Sequence, residues 1–336
     1  MKIRVTTPTR IDLAGGTLDL YPLYLFEEGG LTVNFAIDMY CHVAIEARND
    51  EKISLTSIDL NMQDQFANVD AISTGGPLEI VSRAVKFFRP GAGMNVTTEN
   101  QVIKGSGLGG SSSLLIATLA ALNAHMNAVY SFNELIDLAA DIEAQCIRIP
   151  TGKQDYFAAV YGGVNALWFE VGGNRREDLL RDGAEIAALE SRIILSFTGA
   201  ARFSGATNWS MIRNYIENNP RTHAGMKEIK ATAVAMRDCI LTRDWGEFAS
   251  VVDREWQNRR MLAEGVTNDM VERVMQAARS SGALANKLCG AGGGGCMITC
   301  VEPSKKKSVE DALTSAGAQV LPFKIVEDGI RLEYLP

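Results

Sequence analysis

Residues 104 to 113 read Lys-Gly-Ser-Gly-Leu-Gly-Gly-Ser-Ser-Ser and lead into an apolar run, Leu114 to Val129. That order of residue types suits the binding of phosphate. Gly105, Gly107, Gly109 and Gly110 carry no Cβ, so the backbone can take positive φ and turn its N–H groups toward an anion. Ser111, Ser112 and Ser113 fall where a helix N-cap is expected, which aims the unpaired first-turn amides and the positive end of the helix dipole at the same anion. A serine hydroxyl there can also ligate Mg²⁺. A plain Gly/Ser turn at the head of a helix would look similar, but a second cluster argues for a ligand. Lys287 to Cys296 read Lys-Leu-Cys-Gly-Ala-Gly-Gly-Gly-Gly-Cys, with glycine at five of the six positions from 290 to 295. A hairpin needs about two such residues, so the excess implies a backbone that passes close to a ligand or another loop.

Two further segments carry charged groups in defined settings. Gly152-Lys153-Gln154-Asp155 stands after Ile149-Pro150 and before the apolar run Tyr156 to Val160, placing Asp155 at the head of a short helix. There it is either a cap or a group aimed into a site. Thr7 to Asp19 read Thr-Pro-Thr-Arg-Ile-Asp-Leu-Ala-Gly-Gly-Thr-Leu-Asp, in which Arg10 interrupts a strand ahead of a glycine turn. Arg10 and Asp12 share one face by the period of two, so they can pair with each other.

The elements that must position these groups follow from periodicity. Ile3 to Leu13, Leu31 to Glu46 and Ile53 to Ile58 alternate or are β-branched and are expected to be strands. Leu78 to Phe88, Ser111 to Val129 and Phe132 to Ile147 have helical spacing, the last with Ser131 as cap and Glu134 as its capping-box partner. Strands are expected again at Gly163 to Glu170 and Arg192 to Phe197. Ser204 to Gly282 is almost wholly helical, followed by strands at Ala285 to Leu288 and Cys296 to Val301, a helix near Lys305 to Ser315 and strands to the end. Blocks of strands and helices of this kind predict an α+β fold with helices packed on one side of antiparallel or mixed sheets.

The length, 336 residues, suggests two lobes, residues 1–175 and 185–336, with a boundary in the charged stretch Asn174 to Ala184. With 40 acidic and 33 basic residues the net charge is −7, and no Lys/Arg-dense stripe is present. Nucleic-acid binding is disfavoured. No signal-peptide core and no run of about 18 apolar residues occurs, so no membrane association and a cytoplasmic location are expected. Six cysteines, mostly in apolar stretches, and three histidines point to reduced, packed thiols and away from zinc.

Taken in order, these segments resemble the GHMP kinase superfamily, the group of galactokinase, homoserine kinase, mevalonate kinase and phosphomevalonate kinase. The resemblance runs from Thr7 to about Thr299. Ala14-Gly15-Gly16, Gly152 to Asp155 and Ala158-Ala-Val-Tyr-Gly-Gly163 are most similar to the branch acting on heptose 7-phosphate and fucose. This chain departs from that branch in having Thr17-Leu18 where glycine and threonine precede the aspartate.

The resemblance implies a two-lobed fold and an ATP- and Mg²⁺-dependent kinase acting on a hydroxyl of a small sugar or sugar phosphate. D-glycero-D-manno-heptose 7-phosphate, giving the 1,7-bisphosphate, is the implied acceptor, and a homodimer is compatible with the reading. Gly105, Ser106, Gly107, Leu108, Gly109, Gly110, Ser111 and Ser112 would hold the nucleotide phosphates. Ser111 and Glu143 would hold the metal, Asp155 would be the base, and Arg10 the cation that keeps it ionised. Asp19, with Gly15, Gly16, Thr17, Lys153, Gly292, Gly293 and Arg202, would contact the acceptor, and Ser204 would assist in holding an anionic group.

Three other readings compete. Gly105-x-Gly-x-x-Gly110 fits a dinucleotide fingerprint, yet no βαβ unit surrounds it. A non-catalytic sensor of sugar or nucleotide would not need both Glu143 and Asp155. A mevalonate-type acid kinase of the same superfamily is the third, against which Gly-Lys-Gln-Asp argues. The Walker A pattern is absent.

Overall fold

The molecule is organised around β2 (Gly30–Ala47), a strand long enough to belong to two neighbourhoods. From Val33 to Glu46 it pairs antiparallel with β1 (Lys2–Ala14); its first part, Gly30 to Phe35, also pairs with β6 (Val164–Glu170), and its second, from Cys41, with β5 (Met94–Asn100). Near-continuous burial of β1 and of the first half of β2 explains their runs of apolar and small residues. The computed structural model describes residues 2–199 and 204–335.

The other elements, in chain order, are α1 (Leu23–Phe26), β3 (Ile53–Ser57), β4 (Met62–Phe66), α2 (Glu79–Phe88), α3 (Gly110–His125), α4 (Phe132–Ile147), α5 (Gln154–Tyr161), β7 (Gly173–Leu180), α6 (Gly183–Ser191), β8 (Ile193–Phe197), α7 (Ser204–Ile216), α8 (Pro220–Thr242), α9 (Trp245–Arg259), α10 (Asp269–Ser280), β9 (Ala283–Leu288), β10 (Cys296–Val301), α11 (Lys306–Ser315), β11 (Gln319–Leu321) and β12 (Arg331–Leu335). One sheet of eight strands runs β12-β1-β2-β5-β3-β4, with β6 and β7 attached to β2; a second of four runs β11-β8-β10-β9. Among the described residues every strand pairing is antiparallel except β3 with β5.

The mixed α+β architecture matches the sequence expectation. Most expected strands and helices are present, and α4 carries the Ser131–Glu134 capping box; α3 stops at His125, short of the expected Val129, and β4, β5 and α6 lie where periodicity marks no element. Asn174 to Leu180, inside the stretch expected to hold a lobe boundary, forms most of β7 and is paired along β6. The last strand, β12, pairs with β1.

Helices α2 to α5 cover one face of the large sheet in a core that includes Val43, Ile45, Leu115, Leu119, Leu135 and Phe157. A second core joins β1, β2 and β6 to α8, α9 and the four-stranded sheet. The turn after β1 and the starts of α3 and α5 come together: Gln154 N donates to Asp19 Oδ2, and Gly109 lies against Asp155.

Candidate active site

The loop between β5 and α3 is built on three left-handed glycines, Gly105, Gly107 and Gly109, with φ of 76°, 78° and 76°. Gly109 is the N-cap of α3, and no side chain caps the helix. The serines, expected at the cap, instead lie within the first turn. The first-turn amides therefore keep no intrahelical or side-chain partner and stay available to an anion.

Leu108 departs from the expectation that every residue from 105 to 112 faces the nucleotide. Its side chain is 1% exposed and packs into the second core, beside β1 and β9. Its own backbone is already partnered: Arg10 N donates to Leu108 O at 3.1 Å, and Leu108 N donates to Ser106 Oγ at 3.4 Å. Its apolar side chain is thus turned away from the loop's open side, and its main-chain groups have partners within the protein. It is the anchor of the loop, since burying a leucine between four glycines fixes a backbone that would otherwise be free.

The serine hydroxyls have other partners. Ser111 Oγ donates to Glu143 Oε1 at 2.8 Å, and Ser112 Oγ to Glu143 Oε2 at 2.8 Å. Ser113 turns inward, donating to Pro8 O at 2.8 Å. Tyr156 Oη also donates to Glu143 Oε2, at 2.5 Å, a contact the sequence reading missed because the tyrosine sits in an apolar run. Burial raises the Glu143 carboxyl above the usual range, with Tyr156, Ser112 and Ser111 opposing the shift.

Asp155 lies in the first turn of α5, whose N-cap is Lys153. It does not cap. Arg10 Nε donates to Asp155 Oδ1 at 2.6 Å, and Arg10 Nη1 to Gly107 O at 2.5 Å, so one guanidinium joins the carboxylate to the phosphate loop. The sequence alternative of an Arg10–Asp12 pair gives way to this, and Asp12 takes Lys287. A Cβ on Gly109 would stand 2.9 Å from Asp155 Oδ2, so glycine is what lets the carboxylate approach the head of α3. Burial pushes Asp155 up and Arg10 pulls it down, with the net shift upward. Its side chain keeps 19% exposure, open enough for an acceptor to reach.

Asp19 is buried beside this segment. Its Oδ2 accepts from Gln154 N at 3.1 Å and its Oδ1 from Thr17 N at 3.2 Å. Burial lifts the group to about 6, and Asp155 adds to the rise. Gln154 Oε1, also buried, has no partner. Thr17 holds a left-handed φ of 84°, a conformation that favours glycine.

The remaining residues fall elsewhere. Lys153 Nζ is tied to Asp137 at 2.6 Å. Gly15 and Gly16 are packed against Leu31 O and the Arg259 guanidinium. Gly292 lies against Val266, Gly293 N donates to Val266 O at 2.6 Å, and Asn268 Nδ2 donates to Gly293 O at 3.0 Å. The ends of that loop do meet the phosphate loop: Gly290 packs on Gly107, and Cys296 N donates to Ser106 O at 2.6 Å. Arg202 lies outside the described residues, and Ser204 opens α7.

The GHMP kinases N terminal domain matches residues 79–163 and the GHMP kinases C terminal domain residues 236–319. A D-glycero-alpha-D-manno-heptose 7-phosphate kinase of Campylobacter jejuni is 31% identical over 335 residues, 98% of this chain and 98% of that one. The chain belongs to the GHMP kinase family. Among solved structures, a D-glycero-D-manno-heptose 1-phosphate kinase from Bacteroides thetaiotaomicron superposes with a TM-score of 0.78 at 27% identity, covering 99% of both chains. A mevalonate kinase of Thermococcus onnurineus is 26% identical over 360 residues, 99% of each. As a GHMP kinase, the chain is an ATP-dependent phosphotransferase with a hydroxyl as acceptor. The loop after β5 is thus no dinucleotide fingerprint: β5 is parallel only to β3, which precedes it, and among the described residues no strand after α3 pairs parallel to β5 to complete a βαβ unit around the loop. Among the described residues no helix is long and apolar enough to cross a membrane.

Proposed function

We propose that this GHMP kinase transfers a phosphoryl group from ATP to a hydroxyl of a sugar phosphate, with D-glycero-D-manno-heptose 7-phosphate as acceptor and the 1,7-bisphosphate as product. The observation that carries the reading is the meeting of Asp155, Arg10 and the phosphate loop within one hydrogen-bonded set, with a second buried carboxylate, Asp19, on the adjoining turn. Full-length similarity to a heptose 7-phosphate kinase supports the acceptor class.

The roles follow from geometry and charge. Backbone amides at the head of α3 take the phosphates of the nucleotide. Asp19 accepts hydrogen bonds from acceptor hydroxyls, and its burial strengthens them. One hydroxyl is presented to Asp155, which takes its proton as the oxygen attacks phosphorus and the bond to the leaving ADP breaks. Arg10, donating to both Asp155 and Gly107 O, fixes the carboxylate against the loop and offsets charge that develops beside it. Ser111 Oγ, Glu143 and Ser112 Oγ form an all-oxygen set of the kind a hard cation takes. These residues would hold Mg²⁺ only together with phosphate oxygens, since one carboxylate and hydroxyls are too few ligands alone. When bound, the ion neutralises phosphate charge. Lys153 would have to leave Asp137 to meet an anionic group on the acceptor.

An acceptor panel tests the proposal: heptose 7-phosphate, heptose 1-phosphate, fucose, galactose and mevalonate, each with ATP and Mg²⁺, read by ADP release and product mass. Heptose 7-phosphate should show the highest kcat/KM, by roughly tenfold or more over the others, with the new phosphate on C1 by NMR. Preference for mevalonate would move the chain to the acid kinases, and nucleotide binding without turnover on any acceptor would make it a sensor.

A further inference from the structure

Behind the site lies a cluster of four charged side chains that the transfer itself does not use. Asp12 on β1, Glu255 and Arg259 on α9 and Lys287 on β9 are 0%, 0%, 2% and 0% exposed. Lys287 Nζ pairs with Asp12 Oδ2 and donates to Asp12 O at 3.0 Å. Arg259 and Glu255 face each other one turn apart, at 3.9 Å. Burial opposes the charge on Asp12, but Lys287, then Arg10 and Arg259, outweigh it and hold the carboxyl far below its usual range.

Buried ion pairs of this kind are poor evidence of stability, because well-packed apolar residues of similar volume often serve as well or better. What apolar residues cannot do is hold a backbone that has no side chains. Apart from Thr232 Oγ1, which donates to Glu255 Oε2 at 2.6 Å, the cluster's other bonds go to just such backbone. Glu255 Oε1 accepts from Gly15 N at 3.2 Å, and Arg259 Nη1 donates to Gly16 O at 2.9 Å. Arg259 Nη2 donates to Gly290 O at 2.6 Å, and Asp12 Oδ1 accepts from Gly290 N at 3.0 Å. Gly15 and Gly16 begin the turn that carries Asp19. Gly290 opens the loop that packs on Gly107 of the phosphate loop. A Cβ on Gly16 would stand 2.9 Å from Arg259 Nη1, so the guanidinium occupies the space that a side chain there would need.

We propose that Arg259 is a positioning residue which, through its two carbonyl contacts, links the acceptor turn to the loops around the nucleotide, so that binding at one changes affinity at the other. This rests on the placement of nucleotide and acceptor given above. The coupling is reciprocal: whatever factor nucleotide adds to acceptor affinity, acceptor adds to nucleotide affinity. Lysine at 259 keeps the charge beside Glu255 but has no fork to reach Gly16 O and Gly290 O together.

The test is amide hydrogen exchange on the full chain with and without Mg²⁺ and a non-hydrolysable ATP analogue. In the wild type, nucleotide should slow exchange both at residues 105–113 and, remotely, at residues 15–19. In Arg259→Lys the first protection should persist and the second should fall by about tenfold, within the range of allosteric couplings. The calorimetric gain in nucleotide affinity on adding heptose 7-phosphate should shrink by the same factor. A double variant, Glu255→Gln with Arg259→Met, removes both charges of the α9 pair and serves if Arg259→Lys does not fold. Loss of remote protection at unchanged melting temperature supports the link. Remote protection equal to wild type in either folded variant overturns it, as does failure of both to fold, which would make the cluster part of the folding core only. Because the exchange measurement needs no acceptor, a wrong acceptor assignment would show as absent heptose binding with the exchange result intact.

Discussion

Asp155 has to accept a proton and yet be charged when the acceptor arrives, which requires opposing influences on one carboxyl. Burial supplies one and Arg10 the other. Asp155→Asn keeps the shape and removes the proton acceptor, so kcat should fall roughly 10²-fold or more while nucleotide affinity stays within a few fold; ADP formation and calorimetry check the two halves. Turnover near wild type would leave Asp155 as a structural partner of Arg10. Asp19 predicts a pH effect. Its carboxyl, ordinarily at 3.8, stands at about 6 in the folded chain, so folding favours the protonated form. Its contribution to stability is therefore most favourable below about pH 4 and declines as pH rises through 6. Acceptor binding needs the ionised form and should improve over the same window. We expect kcat/KM for the acceptor to climb through pH 6, and Asp19→Asn to abolish that limb while its melting temperature gains on the wild type as pH rises. Asp19 also ties its own turn together, because its oxygens accept from two buried backbone amides. Only the resemblance singles out Arg10, Glu143 and Asp155, because locally Arg10 reads as a partner of Asp12 and Asp155 as a helix cap. Tyr156 was not legible, since its role depends on a glutamate one helix earlier that no local pattern links to it. The burial of Leu108 is illegible for another reason: its neighbours are all loop residues, and only the core beneath shows which way it turns.

Helices α3 and α4 meet through side chains that could serve a metal. Ser111 and Ser112 each donate to a different oxygen of Glu143, so the two helices share one polar contact at their junction. Ser111→Ala and Glu143→Gln should each raise the Mg²⁺ concentration needed for half-maximal rate, by several fold, and the double variant should be little worse than the more severe single one. Titration of initial rate against Mg²⁺ decides it. Wild-type dependence in both would pass the role to Ser112, since Ser113 is committed to Pro8 O. The bounds of α4 and its Ser131 cap are legible from periodicity and local spacing. The cap of α3 was misplaced because Gly109, with φ of 76°, takes a position that serine usually fills, and it does so to make room for Asp155. The partner of β1 across its outer edge was invisible, since pairing between distant strands leaves no mark on either alone.

At the scale of the molecule, the segment leading into β12 braces α5, the helix that carries Asp155, from behind. Val326 N donates to Ala36 O at 3.1 Å, Gly163 N to Val326 O at 2.8 Å, and Ile330 N to Val160 O at 3.1 Å, which pins the C-terminal end of α5 to β2. Ending the chain after Leu321 removes these three bonds, Asp38 N to Lys324 O, Lys324 N to Asp38 Oδ1 and Ile325 N to Glu190 Oε1, and with them the whole pairing of β12 with β1; for the six bonds alone it should cost roughly 3–9 kcal/mol, at 0.5–1.5 each. It should also lower kcat more than nucleotide affinity, because Asp155 rides on α5; urea unfolding and kinetics would measure both. Unchanged turnover would show that α5 holds itself in place. The same closure bears on synthesis. Lys2 faces Leu335, so on the ribosome β1 is made long before β12 and waits with a bare edge while everything between them is added. Every motif residue has been polymerised before the strand that seals the sheet. A nascent chain released early would carry the full chemical signature of the kinase and still be a client for chaperones.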